Sequence, residues 1–159
     1  MITRVASREE RIKSTEGTVN RKEFEKYIAH FNNKRYKELS SYFAPDVTVE
    51  YYDNATYTGA PARTLHGPQE FINNYKALHA HTREELEIGA FIAKRDLLFV
   101  ELYTEFHTYK NPPESSGRTW KTGDVTIMTN FILYDFEGGK MKRIRIAHWR
   151  MHDPKKARL

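Results

Sequence analysis

Apolar and aromatic residues recur at three- and four-residue steps from Val19 to about Phe43. Phe24, Tyr27, Ile28, Phe31, Leu39, Tyr42 and Phe43 fall on one helical side. Asn20 stands where an N-cap belongs, with Glu23 three residues on, and Asn32-Asn33 predicts a break into two helices. Ala44-Pro45-Asp46 ends the helical pattern, and Val47 to Tyr52 reads as a first strand. The Gly-, Pro- and Thr-rich segment from Asp53 to Gly67 is long enough to act as a lid or mouth. Pro68 then opens a third helix to about His79, with Phe71, Ile72, Tyr75 and Leu78 on one face.

Four strand-like runs follow: about Glu84 to Ala93, Leu97 to Lys110, Asp124 to Phe136 and Lys140 to His152. Lys94-Arg95-Asp96 and Glu137-Gly138-Gly139 join neighbours as hairpins, while the link through Asn111-Pro112-Pro113 and Ser115-Ser116-Gly117 is loop-like. Strands this long must twist and coil, so the expected architecture is α+β. A strongly curved, mixed or antiparallel sheet wraps around the N-terminal helices as a cone-shaped barrel. Three of the runs hold His107, Asn130 or His148 among apolar neighbours. A buried imidazole or amide left unbonded costs about 1–3 kcal/mol, so several on one sheet point to a polar-lined pocket.

Composition narrows the chemistry. The 159 residues suit a single domain, read as 19–153, with a flexible basic arm at 1–18 and a basic tail at 154–159. No cysteine occurs, which excludes disulfides, thiolate metal sites and cysteine nucleophiles and fits a reducing compartment. With no apolar leader and no bilayer-length run, the expectation is a soluble, cytoplasmic protein without a membrane partner. The excess of 26 Lys+Arg over 21 Asp+Glu sits largely at the ends, at Arg4, Arg8, Arg11 and Lys13 and at Lys155, Lys156 and Arg158. Such tails read as solvated ends rather than a nucleic-acid footprint. His79 with His81, and His148 with His152, lack a third ligand at suitable spacing, so no metal is expected; phosphate-loop and dinucleotide motifs are missing too.

The element order, with the phrases FNNKRYKELSSYFAPDVTVEYYD, LHGPQEFINNYKAL and NFILYDFEGGKMKRIRI, resembles the SnoaL-like branch of the nuclear transport factor 2-like superfamily from about Asn20 to Asp153. That superfamily includes cyclases, dehydratases, isomerases, epoxide hydrolases and non-enzymatic adaptors, and the resemblance implies cofactor-free chemistry. A distant local similarity to scytalone dehydratase implies roles for Tyr51 in the first strand, His107 in FHTYK and Asn130 in the next strand. The helical Tyr-Asp pair of that family corresponds to Phe31-Asn32 here, and its second histidine position falls near Leu86, so the same dehydration is not implied.

The residues themselves leave alternatives open. His107 alternates with Glu101, Tyr103, Glu105 and Tyr109, so strict period two places it on an outer face, and a bulge would turn it inward. His148 shares a face with Ile144, Ile146, Arg150 and His152 by the same count, as a wall histidine or a proton-transfer group. Asn130 alternates with Met128, Ile132 and Tyr134. Tyr51 and Asp53 point together if the strand is regular, and each has a packing or turn role as its plain alternative. The catalytic candidates are therefore His107, Tyr51, Asn130, Asp53 and His148, with Asn32, Phe31, Arg63, Met128 and Tyr134 as substrate contacts.

The function expected is a cofactor-independent lyase or isomerase on a hydroxylated, largely apolar aromatic or polyketide-like small molecule. Elimination of water or formaldehyde, a double-bond shift and cyclisation all stay open. The alternative is a non-catalytic binding or adaptor domain. A homo-oligomer, dimer or trimer, is expected through the convex sheet face bearing Tyr103, Tyr109, Arg143, Arg145 and Trp149.

Overall fold

The computed structural model describes residues 19–52 and 59–159. The leading helical pattern divides as expected into α1 (Arg21–Asn32) and α2 (Tyr36–Ser40). Asn20 Oδ1 accepts from the Lys22 N–H at 2.8 Å, and the break turns on Lys34, a non-glycine residue at φ 56°. Phe24, Tyr27, Ile28 and Phe31 are the buried stripe of α1. Phe24 meets Tyr134 edge-on at 5.2 Å between ring centres, so truncating it to alanine would cost about 3–5 kcal/mol.

The first strand, β1 (Phe43–Tyr52), starts earlier than Pro45 suggested. Pro45 is tolerated because the pairing is irregular there: the register with the last strand jumps between Phe43 and Thr48. The mouth segment yields one short strand, β2 (Arg63–His66), before α3 (Gly67–His79), where Glu70 reaches back to the His66 N–H at 2.7 Å. The long strands are β3 (Thr82–Lys94), β4 (Leu97–Thr108), β5 (Val125–Glu137) and β6 (Lys140–His152).

All six strands form one sheet in the order β2-β1-β6-β5-β4-β3, with β1 and β6 parallel and every other pair antiparallel. Helices α1 and α3 pack on β3 and β1, which closes the concave side into the expected α+β cone. Bulges bend the strands, and two of them set faces that matter here. On β3, Gly89 and Ala90 together oppose Glu101; a Cβ at Gly89 would lie 2.7 Å from Glu101 Oε2, so the glycine makes room for that carboxylate. On β6, Asn130 pairs His148 but Thr129 pairs Arg150, which leaves Trp149 as the extra residue.

The basic side chains of the tail, Lys155, Lys156 and Arg158, are exposed as expected, but its last residues are docked. A 3-10 turn at Pro154–Lys156 returns the chain over the convex face. There Glu105, fully buried, accepts from the Arg158 and Leu159 backbone N–H groups at 2.6 and 3.1 Å, from Tyr103 Oη at 2.8 Å and from His107 Nε2 at 2.7 Å. Arg158 pairs with Glu87 and lies 4.3 Å over the Tyr103 ring.

Candidate functional site

A cavity of about 240 Å³ lies between the helices and the concave face of the sheet. Its wall is the inward period of four strands: Leu102, Thr104 and Phe106 from β4, Met128, Asn130, Ile132 and Tyr134 from β5, Ile144, Ile146 and His148 from β6, and Tyr51 from β1. Tyr27, Ile28 and Phe31 close it from α1, and Phe71, Tyr75 and Leu78 from α3. A cavity of roughly 150 Å³ suffices for benzene, so this one admits a compound of one or two rings.

Its polar groups fall into a few sets. Glu84, on β3, is 5% exposed and faces the cavity beside Leu86. Its Oε2 lies 3.0 Å from His79 Nε2, and His79 Nδ1 lies 2.7 Å from the hydroxyl of half-buried Tyr36. Burial raises the Glu84 pKa, against the opposing hydrogen bond from His79. With Glu84 ionised, His79 donates to it and accepts from Tyr36; with Glu84 protonated, both bonds can reverse. The three residues thus form a chain able to move a proton between cavity and exterior.

Tyr51 and Tyr75 hold their hydroxyls 2.8 Å apart in the cavity, and burial raises the pKa of both, so both are neutral donors near neutrality. The Arg63 guanidinium lies 4.4 Å over the Tyr51 ring and donates to Asn74 Oδ1. Asn130 Nδ2 reaches Thr104 Oγ1 at 3.3 Å while its buried Oδ1 has no partner. One end of the Asn130 amide is thus paired with Thr104, and the other is buried and unbonded among the described residues.

Seven of the ten expected residues line this cavity: Tyr51, Asn130, His148, Phe31, Arg63, Met128 and Tyr134. His107 does not. The β4–β5 register runs without interruption from Leu97 to His107, so no bulge turns it inward and it faces outward with Glu105. Asn32 is also absent from the wall: its Nδ2 donates to Leu86 O and its Oδ1 accepts from Leu86 N, both at 2.9 Å, pinning α1 to β3. Asp53 lies outside the described residues. The expectation that Arg150 and His152 share the His148 face fails at the Trp149 bulge, and His152 instead bonds Thr129 Oγ1 at 2.8 Å.

The sequence reading missed Glu84, Tyr75, Arg118 and Trp120 as site residues. Glu84 was legible, since the alternation Glu84, Leu86, Ile88 already sets a carboxylate on an apolar face. His79 was weighed only as a metal ligand. Arg118 and Trp120 sit in the β4–β5 loop, where no periodicity foretells orientation. Among the described residues no three His, Asp or Glu side chains are grouped to hold a metal, and no helix is long and apolar enough to cross a membrane.

Residues 24–144 match the SnoaL-like domain family. The chain belongs to that family. This SnoaL-like domain also shares its fold with solved structures of low identity. A candidate polyketide cyclase from Xanthomonas campestris pv. campestris is 15% identical with a TM-score of 0.63, over 77% of this chain and 84% of that one. A candidate ketosteroid isomerase from Kribbella flavida DSM 17836 is 14% identical with a TM-score of 0.57, over 82% and 77%. An LEH-like epoxide hydrolase of M. tuberculosis is 9% identical with a TM-score of 0.57, over 87% and 81%. No curated protein matches this SnoaL-like chain by sequence.

Proposed function

We propose that this SnoaL-like domain is a cofactor-independent lyase or isomerase acting by general acid–base chemistry on a hydroxylated, largely apolar small molecule. The observation that carries the reading is Glu84, a buried carboxyl with a raised pKa, facing an aromatic cavity at the inner end of the chain through His79 to Tyr36. Ionised Glu84 would take a proton from carbon, and the charge developing on a neighbouring oxygen would meet the Tyr51–Tyr75 hydroxyls and the unbonded end of Asn130. Loss of water or formaldehyde, a double-bond shift or ring closure completes the step, with Glu84 or His148 returning the proton.

Tyr51 and Asn130 share one cavity while His107 lies outside it, and the presence of Glu84 and His148 beside the first two supports an enzyme over an adaptor of the same fold. The relatives described as cyclase, isomerase and hydrolase are compatible with that reading. The test is a panel of hydroxylated aromatic compounds incubated with the protein and with Glu84→Gln, followed by product mass. Turnover by the wild type and none by the variant is expected; equal turnover by both sinks the assignment.

The outer face supports a second copy of the chain as partner. Trp149 stacks on Phe131 at 4.5 Å and is itself 48% exposed. Of the five outer residues first expected to make this contact, Arg143 and Arg145 are paired with Glu50 and Asp135 within the chain. A light-scattering mass near 18.8 kDa at micromolar concentration would count against the oligomer.

A further inference from the structure

The cavity has an unbalanced charge. Two guanidiniums line it, Arg63 from β2 and Arg118 from the loop between β4 and β5, while Glu84 is the single carboxylate among its described lining residues. Glu84 already has His79 as its partner. Arg118 makes no side-chain hydrogen bond and no ion pair among the described residues; its guanidinium lies over the Trp120 ring, 5.2 Å from the ring centre. It is only half-buried, yet burial and the neighbouring charge of Arg63 lower its pKa by more than Glu84 raises it, so the two cations are close enough to repel one another.

Holding two like charges beside an apolar cavity is unfavourable unless something compensates, and among the described lining residues the single carboxylate, Glu84, offsets only part of the two charges. A guanidinium stacked on an indole keeps its N–H edges available, which is the arrangement that receives a planar oxyanion through paired hydrogen bonds. Trp120 in turn rests on Phe106 at 5.3 Å, so the loop bearing Arg118 is seated on the cavity wall through an aromatic contact. Arg63 is fixed by Asn74 and by the Tyr51 ring.

We infer that the substrate is an anion, an aromatic compound whose carboxylate or acidic hydroxyl docks between Arg118 and Arg63 while its ring fills the cavity toward Glu84. This deepens the proposed function, resting on the same cavity, and assigns Arg118 and Arg63 as binding residues. The division of labour is physical: the arginines neutralise the charge the substrate brings in, whereas Glu84 handles the proton that moves during the reaction.

Calorimetric binding of two probes of matched shape tests it, naphthoate and its uncharged counterpart naphthamide. The wild type is expected to bind naphthoate at least about tenfold more tightly, as a charge-assisted bidentate pair would give. Arg118→Gln should bring the two affinities to within about threefold, and Arg118→Lys should keep part of the preference. Glu84→Gln should keep all of it. Equal affinities in the wild type, an unchanged preference in Arg118→Gln, or binding of neither probe at millimolar concentration overturns the inference. Because binding needs no turnover, a charge preference with fully active Glu84→Gln would sink only the acid–base reading, and the converse would sink only this one.

Discussion

Two buried glutamates, each hydrogen-bonded to a histidine, lie on adjacent strands of this domain and face opposite ways. Glu105, on the convex side, receives four donors, two of them backbone N–H groups of the tail. Burial pushes its pKa up, but those donors overcome that and hold it at about 2. Glu84, on the concave side, receives His79 alone, and burial keeps its pKa raised. The same residue pair is thus a permanently charged clasp on one face and a titratable group on the other. What separates them is the number of donors, not the presence of a histidine. A saturated carboxylate has no capacity left for chemistry, while an under-donated one beside a cavity can take and return a proton.

The sharpest way to break this contrast is to neutralise each carboxyl in turn. Glu84→Gln should lower turnover by roughly 10²–10⁴-fold with melting unchanged or slightly raised, since an amide costs less to bury than a carboxylate. Glu105→Gln should do the reverse, costing about 2–3 kcal/mol of stability while the folded fraction keeps its rate. The pH dependence carries its own sign. The folded pKa of Glu105 is depressed from 4.5, so its contribution is complete above that value and is lost as pH falls toward about 2. Urea melts of wild type and variant should therefore converge on acidification over that window. A stability gap independent of pH would mean that the clasp is steric rather than ionic.

Smaller effects sharpen the inner pair. If ionised Glu84 is the base, kcat/KM should fall as pH drops through a limb lying above the ordinary carboxyl range, and His79→Gln should move that limb upward by removing the group that favours the ion. Tyr36→Phe should move it less. Tyr51→Phe removes one hydroxyl and keeps the ring, so about a tenfold loss in kcat with unchanged melting is expected, and a full-rate variant would place oxyanion contacts elsewhere. The smallest expected effect is that of exhaustive chelation, which should leave the rate within about twofold if the chemistry is acid–base alone; a loss restored by one metal would reverse that view.

These contrasts also mark how far the sequence can be read. Period two on β4 already separates Leu98, Val100 and Leu102 from Glu101, Tyr103 and Glu105, and the register preserves that division to the end of the strand. Helical spacing likewise identified Phe24, Tyr27, Ile28 and Phe31 as one buried stripe. The misreadings arose where local pattern has no authority. The outward face of His107 was correct by count, but the family likeness pulled it toward the pocket. Asn32 was taken from the same likeness, although its amide is fully engaged by Leu86. Arg118 reaches the cavity through a loop, and the tail finds Glu105 across more than fifty residues of chain, which only tertiary packing decides.

Trp149 makes β6 a strand whose length is chemically constrained. Because the additional residue lies between His148 and Arg150, the alternation resets there: His148 faces the cavity beside Asn130, Arg150 faces outward beside Thr129, and Met151 returns to the side of Met128. Losing Trp149 itself would restore regular alternation with Arg150 still outward opposite Thr129, whereas deleting a residue within the regular run from Ile144 to His148 would turn the side chains on one side of the cut to the wrong face. Over generations, then, the specificity of the pocket and the character of the exterior can drift independently by substitution, whereas a one-residue deletion in that regular run would disturb both together.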